Sequence, residues 1–380
     1  MKRKRKKNNK KKILILIIII ILILSLVYIL LPKNYGYKKE TIEVFKENNI
    51  YSQIKDKKIY SKTLEEAINQ NSFNKEYFLE YLDIKYIDKD DFINNVNKLL
   101  SLGYSSKDIN AIYEKIPDNV NIIIDSKYNK DIINIMNLSY FKIDNLKRYL
   151  DYDIMEVKSI YDISNIKKDF NYEDVVTYVN ANLDKEYYYS SDNLISNEDA
   201  SKIDVLVNKY HKLNENYEPS DLTIIDSKYA SGTQKLRKEA KIKFEEMASD
   251  MAKDNLKIYA GSTYRSFTYQ KGLYDRYVKK DGFAAAETYS ARSGYSEHQL
   301  GLAVDIVSGK WDYLNEKDKE YDYLIKNSYK YGFILRYPRG SEYITGYMFE
   351  DWHFRYLGVE LATKVFNSGL TYDEYIARDM

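Results

Sequence analysis

At 380 residues the chain is longer than one typical domain, and 44% hydrophobic with 31% charged residues excludes a disordered or collagen-like polypeptide. The formal net charge is +2, yet nine cations stand within residues 2–12, so the rest of the chain carries −7; that acidic body argues against nucleic acid, which needs a basic face on the folded domain. The absence of cysteine excludes disulfides and thiolate metal sites and leaves the cellular compartment undecided.

Residues 1–12 form a basic tail. Residues 13–31, "ILILIIIIILILSLVYILL", hold no charge. At about 1.5 Å per residue this run approaches the ~30 Å thickness of the bilayer hydrocarbon. It exceeds the roughly 7–15 residues of a signal-peptide core, and no small-x-small cleavage site follows. The expectation is an uncleaved transmembrane anchor in the lipid bilayer. Positive charge on its amino-terminal flank places residues 1–12 in the cytoplasm and everything after Pro32 outside, giving a single-pass protein of the cell membrane.

Residues 33–200 contain one proline, Pro117, few glycines and many short periodic apolar segments, which predicts a mostly helical extracytoplasmic region. In "KYIDKDDFINNV", "GYSSKDINAIY", "SYFKIDNLKRY" and "NYEDVVTYV" a tyrosine and a capping residue precede a helical apolar pattern. Tyr86, Tyr104, Tyr140 and Tyr172 are spaced as stacked helical hairpins of about 34 residues would be, although a chain with 41 tyrosines also produces such matches by bias. "SQIK" at Ser52, "SFNK" at Ser72 and "SNIK" at Ser164 fit SxxK, and "SDN" begins at Ser191. The third element of serine acyl-enzymes, KTG, is absent, so chance in a lysine-rich chain is the better reading.

From Ser201 the texture becomes mixed. Residues 235–255 predict an amphipathic helix with Leu236, Ala240, Phe244, Met247, Ala248 and Met251 on one side. "LKIYAGSTYR" predicts a strand ending in a turn, and "GLAVDIV" a second strand, opened by Gly301. Asp305, inside that apolar run, requires a cation, hydrogen bonds or a metal. A salt bridge is the ordinary answer. Two of the three histidines shift the balance: His298 lies across Gly301 from Asp305, and His353 follows Glu350 by three residues in "FEDWHFRYLG". Two imidazoles and a carboxylate make a three-ligand zinc set that leaves the fourth tetrahedral position to solvent. Zinc activates water at such a site, and a nearby carboxylate such as Glu350 shuttles the proton. The same donors also serve non-haem iron(II) oxygenases, the chemical competitor, which usually take a close HxD pair and need no base beside the last histidine.

Ser296, His298, Gly301, Ala303 and Asp305 in SxHxxGxAxD order, with Glu350 and His353 in ExxH, resemble the LAS metallopeptidases, specifically VanY-type D-alanyl-D-alanine carboxypeptidases. "LVNKYHKLNENYEPSDL" (206–222), "STYRSFTYQ" (262–270), "YGFILRYP" (331–338) and "ITGYMFEDWHFRYLG" (344–358) carry the likeness over about residues 201–376. The resemblance implies an α+β fold of LAS type in residues 201–380, with a small antiparallel sheet flanked by helices. It implies one zinc ion (Zn2+) held by His298, Asp305 and His353, with Glu350 as general base and Arg265 offsetting charge on the tetrahedral oxyanion. Gln270 and Ser296 would face substrate, which would be peptidoglycan stem peptides ending in D-alanine. Trp352 is read as wall and His211 as structural. Asp351 and Ser293 stand where the family commonly has proline, which bears on loop rigidity and substrate preference. Rival activities are D,D-dipeptidase, L,D-carboxypeptidase and endopeptidase, which differ in pocket shape, and a zinc-bearing wall-binding module without turnover.

Overall fold

Short helices follow one another through residues 39–163 and 172–180, several of them opened by a side-chain cap written in the sequence. The computed structural model describes residues 18–21, 34–163, 170–188, 193–309 and 312–378. The expected anchor, 13–31, lies outside these residues except for 18–21, as do Ser164 and Ser191; no helix among the described residues is long and apolar enough to cross a membrane. The chain divides into two compact units, Met1–Tyr128 and Asn129–Met380.

In the first unit, helix α1 (Phe78–Asp83) carries Tyr81, and α2 (Ser106–Lys115) opens on a capping box in which Ser105 and Asp108 each satisfy the other's backbone N–H. In the second unit, α3 (Leu146–Leu150) carries Tyr149, and α4 (Tyr172–Asn180) opens on the same device built from Asn171 and Asp174. One motif recurs at twice the expected repeat length. The Tyr81 hydroxyl accepts from the N–H seven residues earlier and donates to Asn97, whose amide returns to the Ser72 carbonyl. Tyr149 does the same with Lys142 and Asn180, and Asn180 returns to Tyr140. These buried hydroxyl and amide groups fix neighbouring helices at no cost in unsatisfied polar atoms.

The second unit centres on a four-stranded sheet. Helix α5 (Lys238–Lys253) precedes strand β1 (Ile258–Ser262), followed by α6 (Phe267–Asp281), β2 (Ala303–Ser308), β3 (Phe333–Leu335) and β4 (His353–Tyr356). The order is β1-β2-β4-β3 and every neighbouring pair is antiparallel. This is the α+β arrangement of a small antiparallel sheet with flanking helices that the resemblance implies. The predicted apolar face of α5 is buried as read: Ala240, Phe244, Met247, Ala248 and Met251 pack with Ile258 and Ala260 of β1, Val304 and Ile306 of β2, and Phe354 and Tyr356 of β4. The helix begins at Lys238 rather than 235, because Lys235–Arg237 pairs as a strand with Leu222–Ile224.

Strand alternation settles what a carboxylate does in an apolar run. Val304 and Ile306 face the core, so Asp305 must face the other way. In β4, Phe354 and Tyr356 face the core, and His353 and Arg355 turn with Asp305. The register sets Asp305 opposite His353 and Ala303 opposite Arg355. Helix α7 (Tyr372–Ala377) packs Tyr372 and Tyr375 in one cluster with Ile334 of β3, and α4 docks on it through Asn180 to the Ala377 carbonyl (2.8 Å) and through Thr177 to Arg378 (2.9 Å).

Candidate active site

Three segments meet on the polar face of the sheet. The 3-10 turn Glu297–Leu300 supplies His298 and ends at Gly301, whose φ of 65° is left-handed; a Cβ there would stand 2.7 Å from Leu222 Cδ2. That reversal lets the chain turn from the His298 segment straight into β2 and Asp305. Strand β4 begins with His353. The nitrogen and oxygen donors of His298, Asp305 and His353 come within 4.8 Å of one another, and all three residues are buried.

The two imidazoles present opposite nitrogens. His298 Nδ1 donates to the Thr263 carbonyl at 2.6 Å, so Nε2 is left as the acceptor; it lies 3.3 Å from Asp305 Oδ2 and has no hydrogen-bond partner. His353 meets Asp305 Oδ1 through Nδ1 at 2.9 Å. A buried imidazole nitrogen without a partner, facing a carboxylate and a second imidazole, is the geometry of a metal centre, and the donor set fits zinc.

Electrostatics support that reading. Burial, with Arg265 nearby, lowers His298 to about 4, which keeps it neutral and ready to ligate. Burial opposes charge on His353 as well, but the hydrogen bond to Asp305 and the Glu297 carboxylate 3.5 Å away outweigh it and raise the imidazole to about 9. Asp305 is held well below its ordinary range because the histidines outweigh its desolvation. A proton on His353 therefore occupies the metal's place when no metal is bound. Loading is expected to release that proton at pH 7, so apparent zinc affinity should rise about tenfold per pH unit and level off near pH 9. Competition titrations against a chromophoric chelator at several pH values check this.

Glu350 is buried, with Oε2 3.7 Å from His353 Nδ1, and burial raises its carboxyl to about 7. A carboxyl poised near neutrality gains and loses a proton at little cost. Arg265, in the loop after β1, donates its backbone N–H to the His298 carbonyl (3.2 Å) and places Nη2 3.6 Å from Asp305 Oδ2. Its Nε is buried without a hydrogen-bond partner. Gln270, in the first turn of α6, donates Nε2 to the Ala291 carbonyl (2.7 Å), and its Oε1 is left without a partner. Ser296 is buried just before the His298 turn.

All seven of these residues line one cleft of ≈ 940 Å³, with Trp352 and Tyr313 on its wall. His211 lies apart from it, half-buried with Nδ1 on Asn208 Oδ1 at 2.8 Å. Asp351 accepts the Glu316 N–H at 2.8 Å, which ties down the loop that a proline would otherwise stiffen. Sequence reading missed Glu297, Arg336 and Arg355, a buried ion cluster beside His353. The available signal was an arginine within each of two strand-like runs, "FILRYP" and "HFRYLG".

A family model described as VanY, D-alanyl-D-alanine carboxypeptidase, matches residues 233–359. The putative carboxypeptidase YodJ of Bacillus subtilis (strain 168) is 39% identical over 195 residues, which cover 49% of this chain and 71% of that one. Among solved structures, the LdcB LD-carboxypeptidase is 38% identical, covering 49% of this chain and 89% of its own, with a TM-score of 0.46. A VanY D,D-pentapeptidase variant in complex with Zn(II) is 34% identical, covering 46% and 98%, with a TM-score of 0.39. With the site's residues in order and the match extending over most of a curated relative, this chain belongs to the VanY family of D-alanyl-D-alanine carboxypeptidases.

Proposed function

We propose that the protein is a zinc-dependent D-alanyl-D-alanine carboxypeptidase that trims the terminal D-alanine from peptidoglycan stem peptides. The observation that carries this is the meeting of His298 Nε2, Asp305 and His353 Nδ1 in a cleft that also holds Glu350 and Arg265. Those three ligands would hold the ion. When bound, zinc supplies a Lewis acid that makes water a nucleophile at neutral pH and polarises the amide carbonyl. Glu350 takes the proton of the attacking water and returns it to the nitrogen of the departing D-alanine. Arg265, with an unpaired Nε and a guanidinium already at the site, offsets negative charge as it builds on the carbonyl oxygen. Gln270 Oε1 and the Ser296 hydroxyl are polar groups for orienting the peptide. A cleft near the top of the roughly 300–1,000 Å³ range of ligand sites has room for a peptide rather than an isolated amino acid.

The substrate lies outside the cell, and the apolar run 13–31 behind a basic tail supports a membrane anchor that holds the catalytic part there, with residues 33–200 as the connecting region. Mass spectrometry of a defined stem pentapeptide ending in D-Ala-D-Ala tests the reaction. One alanine is expected to be lost, and a chelator is expected to abolish the loss until zinc is restored. Release of a dipeptide, or cleavage only of a tetrapeptide, would assign the site to D,D-dipeptidase or L,D-carboxypeptidase chemistry. Turnover that survives chelation would refute the zinc reading.

A further inference from the structure

The chemistry above makes no use of the buried carboxylate of Glu297. Glu297 is 2% exposed and directly precedes the ligand His298. Its Oε1 accepts from Arg336 Nε at 2.8 Å and Arg355 Nη1 at 3.0 Å, and both arginines are fully buried. Its Oε2 has no hydrogen-bond partner. That oxygen faces His353 Nε2 at 3.5 Å, a nitrogen that is itself buried without a partner. Two orphaned polar atoms across one short gap imply a hydrogen bond completed when the ring is fixed by a metal on its other side.

We propose that Glu297 is a positioning residue for the metal centre, accepting the His353 Nε2 proton so that Nδ1 is the nitrogen offered to the ion. A flip of the ring would carry Nδ1 away from Asp305 and Nε2 away from Glu297, so the carboxylate selects both tautomer and orientation. It is the counterpart of the Thr263 carbonyl, which takes the Nδ1 proton of His298 and leaves the opposite nitrogen free. The arginine pair allows a carboxylate to stay charged at this depth. Arg336 is anchored in turn by Asp373 of α7, and Asp373 is held by Asn208 Nδ2 at 2.8 Å. A rigid run of ion pairs thus joins the third ligand to the carboxy-terminal helix.

The inference rests on the metal assignment above, and two measurements on full-length protein separate them. Nitrogen-15 histidine labelling of the zinc-loaded parent reads the tautomer in a chain with three histidines. His353 is expected to carry its proton on Nε2 with Nδ1 shifted by the metal, and zinc on Nε2 would overturn the proposal. Glu297→Gln is expected to weaken zinc binding about 10- to 100-fold in chelator competition. Arg355→Met, which strips a cation from the same carboxylate without touching His353, is expected to lower Tm and to change zinc affinity less than about threefold. Equal losses in the two variants, or a folded Glu297→Gln that binds zinc like the parent, would also overturn it. Should Glu297→Gln fail to fold, the charge-compensated double variant with Arg355→Met is judged by the same criteria, and the tautomer of the parent decides independently. A parent that binds no zinc sinks the metal assignment itself.

Discussion

Glu350→Ala is expected to lower kcat about 10²- to 10⁴-fold on a stem pentapeptide while zinc stays bound. Glu350 is not one of the three converging donors: its carboxylate lies 3.7 Å from His353 Nδ1, against 2.9 Å for Asp305, and it enters from the loop before β4. Metal content should therefore survive the substitution. Stability should survive as well, because burial disfavours the Glu350 charge, as its upward shift to about 7 shows. The pH profile gives a second reading. A general base works only when ionised, so kcat/KM in the parent should fall as pH drops through the Glu350 pKa. A bound cation favours the ionised form and draws that limb below about 7. In Glu350→Ala the limb should disappear. A variant that cleaves as fast as the parent would remove Glu350 from the reaction, and one that loses zinc would make it a ligand instead.

How much of this was legible in the sequence depends on the range of the interaction involved. That His298, Asp305 and His353 would converge was readable because few residue types ligate zinc, and Gly294 and Gly301 disfavour a continuous helix across His298 and Asp305. The buried face of α5 was readable because helical periodicity is local. Register was not. That Asp305 stands opposite His353 follows from pairing between strands 48 positions apart, and no pattern within either strand dictates it. The start of α5 was misplaced for the same reason, since Lys235–Arg237 is claimed by a strand partner at Leu222–Ile224. Glu297 was overlooked because a charged residue next to a histidine in a turn reads as solvent-exposed. Only the fold brings Arg336 and Arg355 inward to neutralise it.

The second large effect is expected at Arg265. Arg265→Ala should reduce kcat about 10²- to 10³-fold, the usual result of removing one oxyanion donor. The contacts of the guanidinium before substrate arrives point to that role. Nη2 is 3.6 Å from Asp305 Oδ2, a loose contact, and Nε has no partner at all. A side chain held for structure would satisfy its donors; this one lines the cleft and keeps a buried donor without a partner. Its charge also repels a cation, as its downward pull on His298 indicates. Removal should thus leave zinc affinity unchanged or slightly higher, the opposite of losing a ligand. Steady-state kinetics then distinguishes its two roles. A fall in kcat at nearly constant KM means the charge acts on the transition state, whereas a rise in KM at constant kcat means that Arg265 only grips the ground-state peptide. Retention of both constants would leave Arg265 outside the chemistry altogether.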